Sequence, residues 1–244
     1  MTATMDRWLG TDGATRDTRL AGALFIALGA AFLTGIMLAA SMAPGYDYQT
    51  AAISDLGVIG ATAALFNPLL IVVGALNMAG GYLFYRGHRR PWLLAIYLVG
   101  GVGAIGAGVN PLSTGDVHSL FALGAFLFFN IEAIGSATVT AGPMKGISLV
   151  AGALGLVYTV IMLVGDGGNP AAFGPIGHGG SERMIVYPVM LWLLAFGGYL
   201  LSNVTEKAGR AAGRVWRPLD LARDGTASRF LRITPGRRTP TVHG

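Results

Sequence analysis

Ser54, Asp55, Asp116, His118, Asp166, His178, Glu182 and Arg183 are the residues whose types could do chemistry in the polar stretches of this chain. A serine, a histidine and a carboxylate can together run acyl transfer, because imidazole is a base near neutral pH and the carboxylate orients it. Two histidines with carboxylates can also ligate a divalent cation. Spacing selects neither chemistry: the chain has no His-Glu-x-x-His and no Gly-x-Ser-x-Gly motif, and the candidates fall in three separate stretches. The absence of cysteine removes disulfides, thiol nucleophiles and Cys-ligated zinc. No metal and no cofactor is expected. Ser54, Asp55, His118 and His178 stand as candidate catalytic residues. The competing reading is structural, with Asp116 capping the helix that follows it and Ser54 and Asp55 opening a short helix.

The elements that must position these residues follow from hydropathy. The chain has 244 residues, 53% hydrophobic and 12% charged, with a mean hydropathy of +0.58. Soluble domains carry roughly a quarter charged residues, so a water-soluble enzyme is excluded. Six apolar runs of about 20 residues each can cross a hydrocarbon core about 30 Å thick; they lie at 20–42, 64–85, 92–109, 118–141, 147–165 and 184–202. The fold class is therefore all-α, a polytopic membrane protein of six transmembrane helices. Small residues dominate the runs, as at 27–31, 104–108 and 133–137, which predicts a tight Gly/Ala-rich bundle. Gly101, Gly103 and Gly106 match a dinucleotide fingerprint only formally, because no strand precedes them.

Basic residues predict the orientation. Sixteen of the 17 lysines and arginines fall on one side of the six-span pattern, and Arg183 alone falls on the other. Cytoplasmic loops retain such residues, so both termini are expected in the cytoplasm and the protein in a cell membrane. The chain divides into a cytoplasmic N-terminal segment (1–19), the transmembrane domain (20–203) and a basic cytoplasmic tail (204–244). The tail carries +6 of a net charge of +5, which leaves the rest near −1 and excludes a nucleic-acid-binding body. Lys207, Arg210, Arg214 and Arg217 recur at helical spacing, so a continued helix would present them on one face. That stripe suits anionic lipid headgroups, at about 1 kcal/mol per basic residue near the surface, or a protein partner.

Within the bilayer Glu132 is the one ionisable residue, with Asn67 and Asn77 the other polar residues singled out there. An intramembrane carboxyl marks either a transport path or a hydrogen-bonded register point in the bundle, with Asn77 or Thr159 as partners. Between the fifth and sixth spans, 166–183 holds six glycines and two prolines, which predicts an irregular connector or a segment that wraps a ligand. Ser181 is placed to cap span six. Pro68 and Pro188 fall near helix starts, where a missing N–H costs least.

The stretches Ile53-Ser54-Asp55-Leu56-Gly57, Leu65-Phe66-Asn67-Pro68, Val109-Asn110-Pro111 with His118, and Glu182-Arg183 with Tyr187-Pro188 and Trp192 resemble the DUF998 family of six-helix prokaryotic membrane proteins. The resemblance covers about residues 20–203, and departs where members commonly show Phe before the second proline and this chain has Asn110. It implies the six-helix fold and lends weight to Asp55, Asn67 and His118 as an extracytoplasmic site. It implies no reaction, since the family's function is unknown. Fifteen arginines against two lysines, with abundant Ala and Gly, also suit a high-GC prokaryote.

Three functions follow as expectations. The first is a non-catalytic accessory subunit that packs against lipids and other membrane protein subunits, for instance in envelope lipid transport. The second is a lipid-acting enzyme or lipid-binding protein using Ser54, Asp55, Asn67, His118 and His178. The third is a small transporter that works through Glu132.

Overall fold

A run of about 20 residues with no water to bond must satisfy its peptide groups internally, and a helix does so within one segment. The computed structural model describes the backbone of residues 2–215 and the side-chain surroundings of residues 13–202. Its six long helices are α1 (Thr2–Met42), α2 (Ala63–His88), α3 (Pro91–Val109), α4 (Asp116–Ser136), α5 (Pro143–Asp166) and α6 (Gly177–Val215). Short 3-10 turns occupy Ser54–Gly57, Leu112–Thr114 and Pro170–Ile176. There is no strand among the described residues. All six helices are long and apolar enough to cross a membrane, so the protein is a multi-pass membrane protein.

Successive helices from α1 to α5 pack against one another, and α6 returns between α1, α4 and α5. Glycine sets the separations. A Cβ at Gly74 would lie 2.4 Å from the Gly101 carbonyl, and one at Gly197 2.5 Å from the Gly22 carbonyl, so α2–α3 and α1–α6 meet backbone to backbone. Rings fill the wider gaps. Phe25 stacks on Tyr97 at 5.4 Å, Phe84 and Phe196 meet edge-on at 5.4 Å, and Trp192 stacks on Phe196 at 4.9 Å. The Trp192 indole N–H donates to Ser148 Oγ at 2.8 Å, tying α6 to α5. At the opposite end from the site, Arg86 pairs with Asp17 at 3.0 Å and joins α2 to α1.

Residues 2–19 are helical and run straight into the first span. Several other expectations change. Span six begins at Gly177 rather than at Met184, so Pro188 lies inside α6 and not at its start. The glycine-rich stretch is a 3-10 turn followed by helix, held to the first loop: Gly179 N–H donates to Gln49 O at 2.9 Å, and Gln49 Nε2 donates to Pro175 O at 2.7 Å. Its glycines serve close approach, since a Cβ at Gly179 would stand 2.2 Å from the Ala51 carbonyl. Ser181 caps nothing; its hydroxyl donates to Gly177 O within the helix. Asp116 is the first residue of α4 and makes no side-chain cap, though its charge is favoured at that helix end. In the basic stretch the backbone is helical through Val215. The side chains of Lys207, Arg210 and Arg214, and all of Arg217, lie outside the described residues.

Candidate functional site

The first loop is folded onto two neighbouring residues of α6. Arg183 Nη1 donates to Tyr48 O (3.0 Å), Ala51 O (3.1 Å) and Gly179 O (2.7 Å), and Nη2 donates to the Tyr46 hydroxyl at 2.7 Å. Its guanidinium also lies over the Tyr48 ring, 4.7 Å from the centroid. Burial pushes the Tyr46 hydroxyl up to about 12, against the lowering effect of Arg183, so it stays protonated and donates to Ala52 O at 2.7 Å. Beside Arg183, the buried Glu182 carboxylate accepts the Ile53 N–H through Oε2. A carboxylate and a guanidinium thus gather the backbone donors and acceptors of a loop that has no regular structure to satisfy them.

That anchoring sets the Ser54–Gly57 turn in place. Asp55 Oδ2 accepts the Ala52 N–H at 2.8 Å, Thr62 Oγ1 donates to Leu56 O at 2.7 Å, and Asn67 Nδ2 donates to Gly57 O at 2.9 Å. Across from it, His118 occupies the first turn of α4 and is 4% exposed. Its Nδ1 lies 2.7 Å from Asn110 O. A carbonyl only accepts, so Nδ1 carries a proton toward Asn110 O, and Nε2 is the ring nitrogen left to face the cavity. On the third side, His178 Nε2 meets Asp166 Oδ1 at 3.2 Å, and Phe173 packs edge-on to the imidazole at 5.0 Å.

These groups surround one cavity of about 610 Å³. Ser54, Asp55, His118 and His178, the four residues singled out from sequence, all line it, with Asp166 and Glu182. Asn67 does not; its amide is spent on Gly57 and it supports the turn from behind. Below the polar rim the wall passes to Leu120, Leu123 and Phe126 of α4 and Met162 and Leu163 of α5. An apolar recess of about 70 Å³ adjoins it and shares Ser54, His118, Ala122, Phe126 and Glu182 in its lining. Spacing could not reveal Met162 or Leu163 as wall residues, because nothing in an apolar run distinguishes a cavity wall from a lipid face.

A serine, histidine and carboxylate relay is not what the geometry contains. The orienting partner of His118 is a backbone carbonyl, and the carboxylate-paired imidazole is His178. No group of three or more His or carboxylate residues is set to hold a metal among the described residues.

Glu132 belongs to a different cluster. Asn77 Nδ2 donates to Glu132 Oε1 at 2.6 Å and to Tyr97 O at 3.0 Å, and the Tyr97 hydroxyl bonds Ser136 Oγ at 2.9 Å. Glu132 is fully buried and does not line the cavity. The expected alternative partner, Thr159, donates to Gly155 O and lies on the cavity wall instead.

Fold and site together define a six-helix integral membrane protein with an amphipathic cavity at one end of its bundle. The chain belongs to the family described as protein of unknown function (DUF998), whose model matches residues 16–199. No curated protein and no solved structure matches it.

Proposed function

We propose that the protein binds a membrane amphiphile in the cavity between α4, α5 and the first loop, as a lipid-binding or lipid-handling protein. The observation that carries this reading is the gradient of the wall. Nine polar residues (Thr50, Ser54, Asp55, His118, Ser119, Thr159, Asp166, His178 and Glu182) line it, and leucine, phenylalanine and methionine, mostly from α4 and α5, line much of the rest. Leu120 and Leu163, 70% and 53% exposed, belong both to that wall and to the outer surface of their helices. A ligand could therefore pass sideways between α4 and α5 from the lipid phase. Pockets of roughly 300–1,000 Å³ suit small ligands, so 610 Å³ takes a headgroup and part of a chain. Extraction into nanodiscs followed by lipid mass spectrometry tests it. One lipid class should be enriched over bulk membrane in the wild type and lost in Leu123→Trp. Bulk composition in both would overturn the proposal.

A second reading, an accessory subunit of a larger membrane assembly such as one for lipid transport, draws on the basic stretch. The backbone is helical through Val215, and the spacing of Lys207, Arg210 and Arg214 is that of one helix face. Such a face suits anionic headgroups or an acidic partner. A partner co-purifying with the full chain but not with a chain ending at 203 would support this second role. Transport through Glu132 has less support, because its carboxyl is enclosed among Asn77, Tyr97 and Gly100.

A further inference from the structure

Acceptors outnumber free donors on the wall of the cavity, where the Ser54 hydroxyl, lining both the cavity and the recess, is a side-chain donor with no partner among the described residues. Thr50 has given its hydroxyl proton to Asp47 Oδ2, Ser119 to Gly115 O and Thr159 to Gly155 O. The nearby backbone donors of Ala52 and Ile53 are taken by Asp55 and Glu182. His118 has spent Nδ1–H on Asn110 O. Its Nε2, on a side chain 4% exposed that lines both the cavity and the recess, has no partner among the described residues. His178 directs Nε2 at Asp166. Asp55, Asp166 and Glu182 add carboxylate oxygens, and no lysine or arginine lines the cavity among the described residues. Arg183, beside Glu182, gives its two terminal nitrogens to Tyr48, Ala51, Gly179 and Tyr46, and its buried Nε has no partner among the described residues.

Lone pairs and carboxylates gathered on one wall favour a ligand that brings hydrogen-bond donors, and they repel an anion. We infer that the ligand is an amphiphile whose headgroup donates hydrogen bonds and carries no negative charge, through hydroxyl or ammonium groups, with His118 Nε2 as a central acceptor. Phosphate and carboxylate headgroups are disfavoured by the same wall. This inference rests on the cavity reading above and names its ligand class.

Diazirine-tagged probes of one chain length test both in liposomes containing the full-length protein at pH 8. The probes are a monoacylglycerol, an alkylamine and a fatty acid. Saturable labelling mapped to 118–126 and 159–166, at least tenfold stronger for the glycerol or the amine than for the acid, is the expected result. Whichever of the two labels more strongly identifies the donor as hydroxyl or ammonium. Equal labelling by all three, or preference for the acid, would overturn the headgroup inference and leave the cavity reading standing. No saturable labelling at those helices by any probe would overturn both. His118→Leu should keep the labelled position and lose most of the preference. Leu123→Trp, which fills the cavity without touching the polar wall, should abolish labelling at unchanged thermal stability.

Discussion

At the scale of single residues, polar side chains in this bundle do two separate jobs. Glu132, Asn77, Tyr97 and Ser136 join α4, α2 and α3 where no water reaches, so each unmet partner is expensive. Glu132→Gln retains an oxygen for Asn77 and is expected to shift stability by less than about 1 kcal/mol. Glu132→Leu leaves the Asn77 amide short of a partner and should cost about 1–3 kcal/mol. Thermal unfolding in detergent separates the two. Function unchanged in Glu132→Gln would also argue against a transport path. Arg183 organises the first loop in the same manner. Its replacement by alanine frees the carbonyls of Tyr48 and Ala51 and isolates the buried Glu182, a loss expected at about 3 kcal/mol or more. Protease sensitivity at 46–52 reads that loss directly.

Helices in this protein are spaced by glycine, and the consequence differs from one helix face to another. A Cβ at Gly103 would stand 2.5 Å from Ala125 N and 2.9 Å from Phe121 O, so α3 and α4 would have to part. Gly103→Ala should lower stability by about 1–3 kcal/mol. Gly124, on α4 as well, faces open space, and Gly124→Ala should be neutral or stabilising by up to about 1 kcal/mol. Melting of the two variants in one detergent tests the contrast. The first loop adds a pH dependence through Asp47, whose carboxyl is held below the usual range by the Gln49 N–H and then by Thr50. A depressed carboxyl stabilises the folded loop above the ordinary value near 4 and loses that effect as pH falls through its lower folded value. Asp47→Asn should remove this acid sensitivity, measured as loop proteolysis between pH 5 and about 3.

For the molecule as a whole, the expected orientation is open to a direct test, because the chain has no cysteine. Asn169→Cys lies in the loop that should face outward, and Arg89→Cys in one that should face the cytoplasm. An impermeant maleimide added to intact cells should label the first and spare the second. The reverse pattern would invert the charge-based topology.

Much of this architecture was legible from composition. Six apolar runs had to be helices because a bilayer offers the backbone no other partner. The helix boundaries were less legible at Gly177–Gly180, where glycine reads as a helix breaker in water. Against the first loop the same residues permit contact too close for any Cβ. Of the candidate site, Ser54, Asp55, His118 and His178 stood out because polar residues are rare in this chain. That His118 and Glu182 border one cavity with Met162 and Leu163 was not readable, since these residues are far apart in sequence and no periodicity links them. Asn67 lies outside the cavity lining and donates to Gly57 O, a contact that the spacing of the sequence does not show.

The sequence by itself determined the solvent of each segment, through hydropathy that acts residue by residue and sums along a helix. From that came the six spans, the three loops at one end and the chemical types available there. Only tertiary packing decided what those types do together. Whether His118 spends an N–H on the Asn110 carbonyl and leaves its other ring nitrogen facing a cavity depends on where helices meet, and glycine contacts tens of residues away fix those meetings.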